Sequence, residues 1–135
     1  MSDGLQLSRE VEGALRILQP DGRLLWRYVF APETAANESA RPYAHPVQTL
    51  AGDVVTNFRP NDHPWHHALS LTIASVDGVN FWGGPSHRAA DGYQWRNDHG
   101  AQRHVGWTHC TPEHLEHTLE WTDARDGRVL LRETR

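Results

Sequence analysis

The sequence predicts a mainly β protein, antiparallel and sandwich-like, and three observations lead there. Apolar and polar residues alternate with a period of two in several runs, helical periodicity is hard to find, and tight-turn sequences split the runs. The first hairpin is ALRILQPDGRLLWRYVF, with strands expected near residues 13–19 and 23–30. In its Pro20-Asp21-Gly22 turn, proline presets φ and glycine accepts a positive φ. The second is ALSLTIASVDGVNFWGG, in which Leu69, Leu71 and Ile73 fall on one face, Ser70, Thr72 and Ala74 on the other, and Asp77-Gly78 makes the turn. The third is HTLEWTDARDGRVLLRETR, with Leu119 and Trp121 facing inward and a turn at Asp126-Gly127. Residues 31–42 read as a polar connecting loop, and residues 83–104, rich in Gly, Asp, Asn and His, as a long irregular one. Trp26 and Trp121 are expected in the core, whereas His114 and His117 are expected on an exposed face without a function.

The chain has 135 residues, the size of a single β domain. VLLRETR reads as a strand with no turn or polar tail behind it, so residues 1–135 are expected to be the N-terminal portion of a longer domain. An incomplete supersandwich with an open edge, covered by homo-oligomerisation, follows from that reading. The formal net charge of −4 argues against a nucleic-acid partner. No apolar run approaches the length of a bilayer span, so no membrane partner is expected. All thirteen basic residues other than histidine are arginine, which removes lysine from the list of general bases and Schiff-base formers. A single cysteine, Cys110, and no secretory leader point to the cytoplasm.

Histidine is the outlier: ten are present, all between residues 45 and 117. FRPNDHPWHHALS, residues 58–70, holds three of them with Asp62 and Arg59. A metal-dependent oxygenase or hydrolase would take His63, His66 and His67 around a divalent transition metal, although their spacing matches no standard ligand motif. A polar pocket for a sugar-like small molecule asks less. Sugar sites combine aromatic faces with Asp, Asn, Arg and His donors and acceptors, and Trp65, Trp82, Trp95 and Trp107 lie in or beside the histidine-rich region. In that pocket His45, Arg59, His66, Trp82 and His104 would bind substrate, with Trp82 as a stacking wall made accessible by Gly83 and Gly84. His63 or His67 would be the general acid–base, oriented by Asp62. The third reading is a non-catalytic assembly module.

RPYAHPVQTLAGDVVTNFRPNDHPWHHALSLTIASVDGVNFWGG resembles the bacterial methane oxygenase PmoA-like group, a domain family of unknown function. The resemblance is carried by Arg41-Pro42-Tyr43 with His45-Pro46, by Pro60 to Leu69, and by Gly78 to Trp82, and it extends over residues 40–135. The group has a histidine where Trp65 stands and a glycine where Ala68 stands, so neither position carries over. Its members run to about twice this length. The resemblance implies a carbohydrate-related role by family-level analogy, and its name implies no activity.

Overall fold

The computed structural model describes residues 3–10 and 13–135. Among the described residues the regular structure is antiparallel strand, apart from one 3-10 turn at Ala36–Glu38, and no sheet closes into a barrel. The first sheet is a meander of β1 (Gln6–Glu10), β2 (Ala14–Leu18), β3 (Leu24–Val29) and β4 (Tyr43–Val47). β2 and β3 form the expected first hairpin, with Gly22 at φ +86° in the turn. β5 (Ser75–Val76) pairs with β6 (Val79–Asn80), and β7 (Ser86–Arg88) pairs with β8 (Gly92–Gln94). The last sheet has the order β11-β10-β9, from β9 (Gly100–Cys110), β10 (Leu115–Asp123) and β11 (Val129–Thr134).

Aromatic contacts join the two large sheets. Tyr28 on β3 and Phe30 just beyond it meet Trp107 edge-on, at centroid distances of 6.4 and 5.2 Å. Val79, Phe81, Leu119 and Trp121 form a core cluster, so the third hairpin turns inward as its alternation predicts. Gly100 sits against this cluster: a Cβ built there would lie 2.5 Å from the Phe81 ring and 2.8 Å from the Thr122 carbonyl oxygen. Gly100→Ala is therefore expected to push Phe81 out of register and cost about 2 kcal/mol. Gly106, on the same strand with open space around it, serves as the control. Urea midpoints that shift equally for the two alanine variants would contradict this account.

Four expectations need correction. Residues 69–73 form no strand, and Leu69, Leu71 and Ile73 are 63, 60 and 56% exposed. The backbone there is held by other means: Leu69 bridges Ala44, and the Leu71 carbonyl accepts from Gln102 and Arg135 side chains. Residues 83–104 contain β7, β8 and the start of β9, which polar inward positions such as Gln102 hid from a hydrophobicity pattern. Trp26 is half-buried. His117 is 1% exposed, because the irregularity in register after Glu116 turns it into the interface between the sheets.

In that interface Tyr28 Oη lies 2.9 Å from His117 Nε2, and His117 Nδ1 lies 2.8 Å from His104 Nδ1. One proton lies between the two Nδ1 atoms, one ring donating and the other accepting. Burial holds the His117 imidazole neutral, its pKa pushed down to about 4, with the neighbouring His104 and Arg135 acting in the same direction.

Candidate functional site

The polar segment before β4 builds the site. After the 3-10 turn, Ser39 reverses the chain at φ +52° and its hydroxyl donates to the Asn80 carbonyl at 2.7 Å. Two residues on, the Arg41 guanidinium is 2% exposed and spends its donors on the carbonyls of Glu38, Ser39, Trp82 and Trp65 and on the Ser70 hydroxyl, at 2.9–3.3 Å. Burial lowers its pKa to about 10, which leaves it charged at neutral pH. Three chain segments distant in sequence are thereby held to one point.

The segment 58–67 closes on itself. Phe58 and His67 form an antiparallel bridge, Arg59 N–H donates to the His66 carbonyl at 2.9 Å, and residues 60–66 coil into a tip between them. That geometry disperses the expected cluster. Asp62, His63 and His66 lie on the exposed tip, with His63 Nδ1 3.1 Å from Asp62 and its ring edge-on to Trp65. His67 alone returns inward and is fully buried. His63, His66 and His67 therefore form no common metal-binding group, and Asp62 does not orient His67. Adjacent residues on an extended backbone point to opposite sides, so His66 and His67 diverge.

The partner of His67 is Glu38. His67 Nε2 lies 3.0 Å from Glu38 Oε2, and Arg59 grips the same carboxylate through Nε at 3.0 Å and Nη2 at 2.7 Å. Burial would raise the Glu38 pKa, but hydrogen bonds from Arg59 and His67 outweigh it and hold the carboxyl below its usual range. Burial also lowers the His67 pKa, against the opposing pull of Glu38. The neutral ring thus donates from Nε2–H to an ionised Glu38, which leaves a lone pair on Nδ1. That Nδ1 is buried and has no hydrogen-bond partner among the described residues.

Around this triad stand Tyr43 and Phe58, stacked at 4.6 Å and 18°, with His45 5.7 Å from Phe58. His45 Nδ1 is 2.8 Å from the Thr56 hydroxyl, and burial lowers its pKa. Glu38, Arg59, Tyr43 and Phe58 line a hollow of about 910 Å³ together with residues 31–35. Of the residues singled out from sequence, His45, Arg59 and His67 come together here.

Trp82 and His104 do not join them. Trp82 is 48% exposed beside a second hollow of about 660 Å³, whose walls include Asn80, Ser86, His87, Tyr93 and Asp98. The Arg41 guanidinium carbon lies 5.8 Å from its ring centroid. Gly83 and Gly84 open no path for a ligand: Cβ atoms built on them would meet Trp65 at 2.6 and 2.5 Å, so the glycines accommodate the indole of Trp65. His104 belongs to the His117 pair between the sheets, and His99 donates from Nε2–H to the Gly84 carbonyl at 2.8 Å.

Glu38 and Arg41 were missed because they sit in a run of small polar residues that reads as a linker. The Arg41-Pro42-Tyr43 motif was the available signal. Compared with known proteins, residues 17–135 match the model of one family, described as a family of unknown function (DUF6807). No curated protein and no solved structure matches.

Proposed function

We propose, from the premise that the chain belongs to the DUF6807 family of unknown function, that it binds a sugar-like, polyhydroxylated small molecule in the hollow over Glu38 and Arg59. One observation carries the reading: an ionised carboxylate, 7% exposed, is clamped by a half-exposed guanidinium at the edge of a hollow that also presents a stacked aromatic pair. A carboxylate–guanidinium pair offers acceptors and donors side by side, the pattern that vicinal hydroxyls require, and the aromatic surface suits the C–H face of a ring. The hollow exceeds the volume of a single sugar and falls within the range of small-molecule sites. His67, sealed from solvent, acts as a positioning residue that fixes Glu38.

The resemblance of the Arg41-Pro42-Tyr43 and Asp62-His63-Pro64 segments to the PmoA-like group belongs to the same proposal, as does a cytoplasmic setting, which the single thiol of Cys110 supports. Among the described residues no helix is long and apolar enough to cross a membrane. Association through a free sheet edge is supported by β11, which has β10 as its one strand neighbour among the described residues.

Calorimetric titration against a panel of sugars and keto-sugars tests the site. Arg59→Gln and Glu38→Gln are expected to weaken a binding sugar about tenfold or more, the loss of a charge-assisted hydrogen bond, while Trp82→Ala leaves it unchanged. Affinity abolished by the Trp82 variant and kept by the other two would move the ligand to the second hollow and overturn this assignment. A folded protein that binds no member of the panel would overturn the reading itself.

A further inference from the structure

A different group of side chains carries a metal reading. His109 and Glu116 are direct register partners across β9 and β10, and His114 closes the hairpin between those strands. The connecting turn is braced: Thr111 N–H donates to the His114 carbonyl at 2.9 Å, and His114 N–H reaches the Thr111 hydroxyl at 3.1 Å. The two imidazoles lie nearly parallel, 4.6 Å apart at 14°. The Glu116 carboxylate stands beside both, with Oε1 3.5 Å from His109 Nδ1 and Oε2 3.9 Å from His114 Nε2. One donor atom from each of the three residues lies within 4.8 Å of the others. In a tetrahedral zinc site, bonds of about 2.0–2.1 Å place ligand atoms roughly 3.3 Å apart, so a modest rotation of exposed side chains closes the gap.

We propose that His109, His114 and Glu116 form a binding site for a divalent transition cation of the zinc class, at the end of the β9–β10 hairpin. Two imidazole nitrogens and one carboxylate oxygen are the donor set that such a cation takes in three-ligand sites, with further coordination positions left to solvent or a bound molecule. Other features bear on the donor set. Thr108 Oγ1 donates to Glu116 Oε1 at 2.6 Å, which fixes the carboxylate and leaves Oε2 free to coordinate. Cys110 contributes nothing: its sulfur accepts from Arg9 Nη2 at 3.2 Å, and the residue after His109 points to the other face of the sheet. Both histidines are exposed and make no contact with the hollow over Glu38, so the site is independent of the proposed sugar site.

Equilibrium dialysis of untagged protein against zinc at slightly alkaline pH decides the matter, with cobalt absorption as the report on geometry. One equivalent is expected to bind. His109→Ala, His114→Ala and Glu116→Gln should each weaken binding about tenfold or more. A His63→Ala/His66→Ala double variant and Cys110→Ser should bind as the parent does. No zinc bound by folded protein would overturn the proposal, and so would binding that survives in the His114 variant while disappearing from the His63/His66 one.

Discussion

Arg41→Met is expected to lose about 3–5 kcal/mol of folding stability, the largest effect of any single change considered. The guanidinium binds four backbone carbonyls and one hydroxyl in a place that water does not reach, since the side chain is 2% exposed. Methionine fills much of the volume and donates nothing. Each buried acceptor left without a donor costs on the order of 1–3 kcal/mol, and relaxation of the loops recovers part of the sum. Against a total stability of roughly 5–15 kcal/mol for a domain, such a loss removes about a fifth or more. Lysine does little better, because one ammonium has three donors and no planar fork. Urea unfolding followed by circular dichroism provides the check. A midpoint for Arg41→Met close to the parent's would mean that Arg41 is not the tie the geometry describes.

The second large effect is a loss of stability in mild acid. His117 has a folded pKa of about 4 and an ordinary unfolded value near 6.5. Between those limits the unfolded chain takes up a proton that the folded chain refuses, so stability falls as pH drops from about 6.5 toward 4 and is flat above that window. The span corresponds to about 3 kcal/mol for this residue alone. His104 and His67, whose pKa values burial also lowers, add in the same direction. Carboxylates act elsewhere: Asp123, held near 2 by hydrogen bonds from Arg125, withdraws its contribution only at still lower pH. Melting at pH 7 and pH 5 should therefore differ clearly. His117→Gln, which can still pair with the Tyr28 hydroxyl, should flatten the slope. Equal melting of the parent protein at the two pH values would refute this assignment of the buried pair.

Both effects arise at residues that sequence reasoning undervalued, and the reason is physical. Period-two alternation reports which side of a strand is greasy, so it located the Pro20-Asp21-Gly22 and Asp126-Gly127 hairpins and the inward Leu119 and Trp121. It misled at Leu69, Leu71 and Ile73, where the pattern is present and no layer covers it. It was blind to β9, whose inward positions carry Gln102 and His104. At the site, chemistry was legible residue by residue and convergence was not. Arg59 and His67 have the right functional groups, but the carboxylate that joins them is Glu38, 21 and 29 positions away and in a run without pattern. Asp62, the sequence neighbour, faces solvent instead.

The way the hollow over Glu38 is tied has a consequence for how it comes apart. Glu38 comes from a 3-10 turn, while Arg59 and His67 flank a coiled tip, and these pieces are joined chiefly by side-chain forks and one isolated bridge. None of them lies within a continuous ladder. Partial unfolding follows the weakest cooperative unit. The hollow can therefore dissolve while both large sheets persist, giving a molecule that keeps its architecture and loses the proposed binding site.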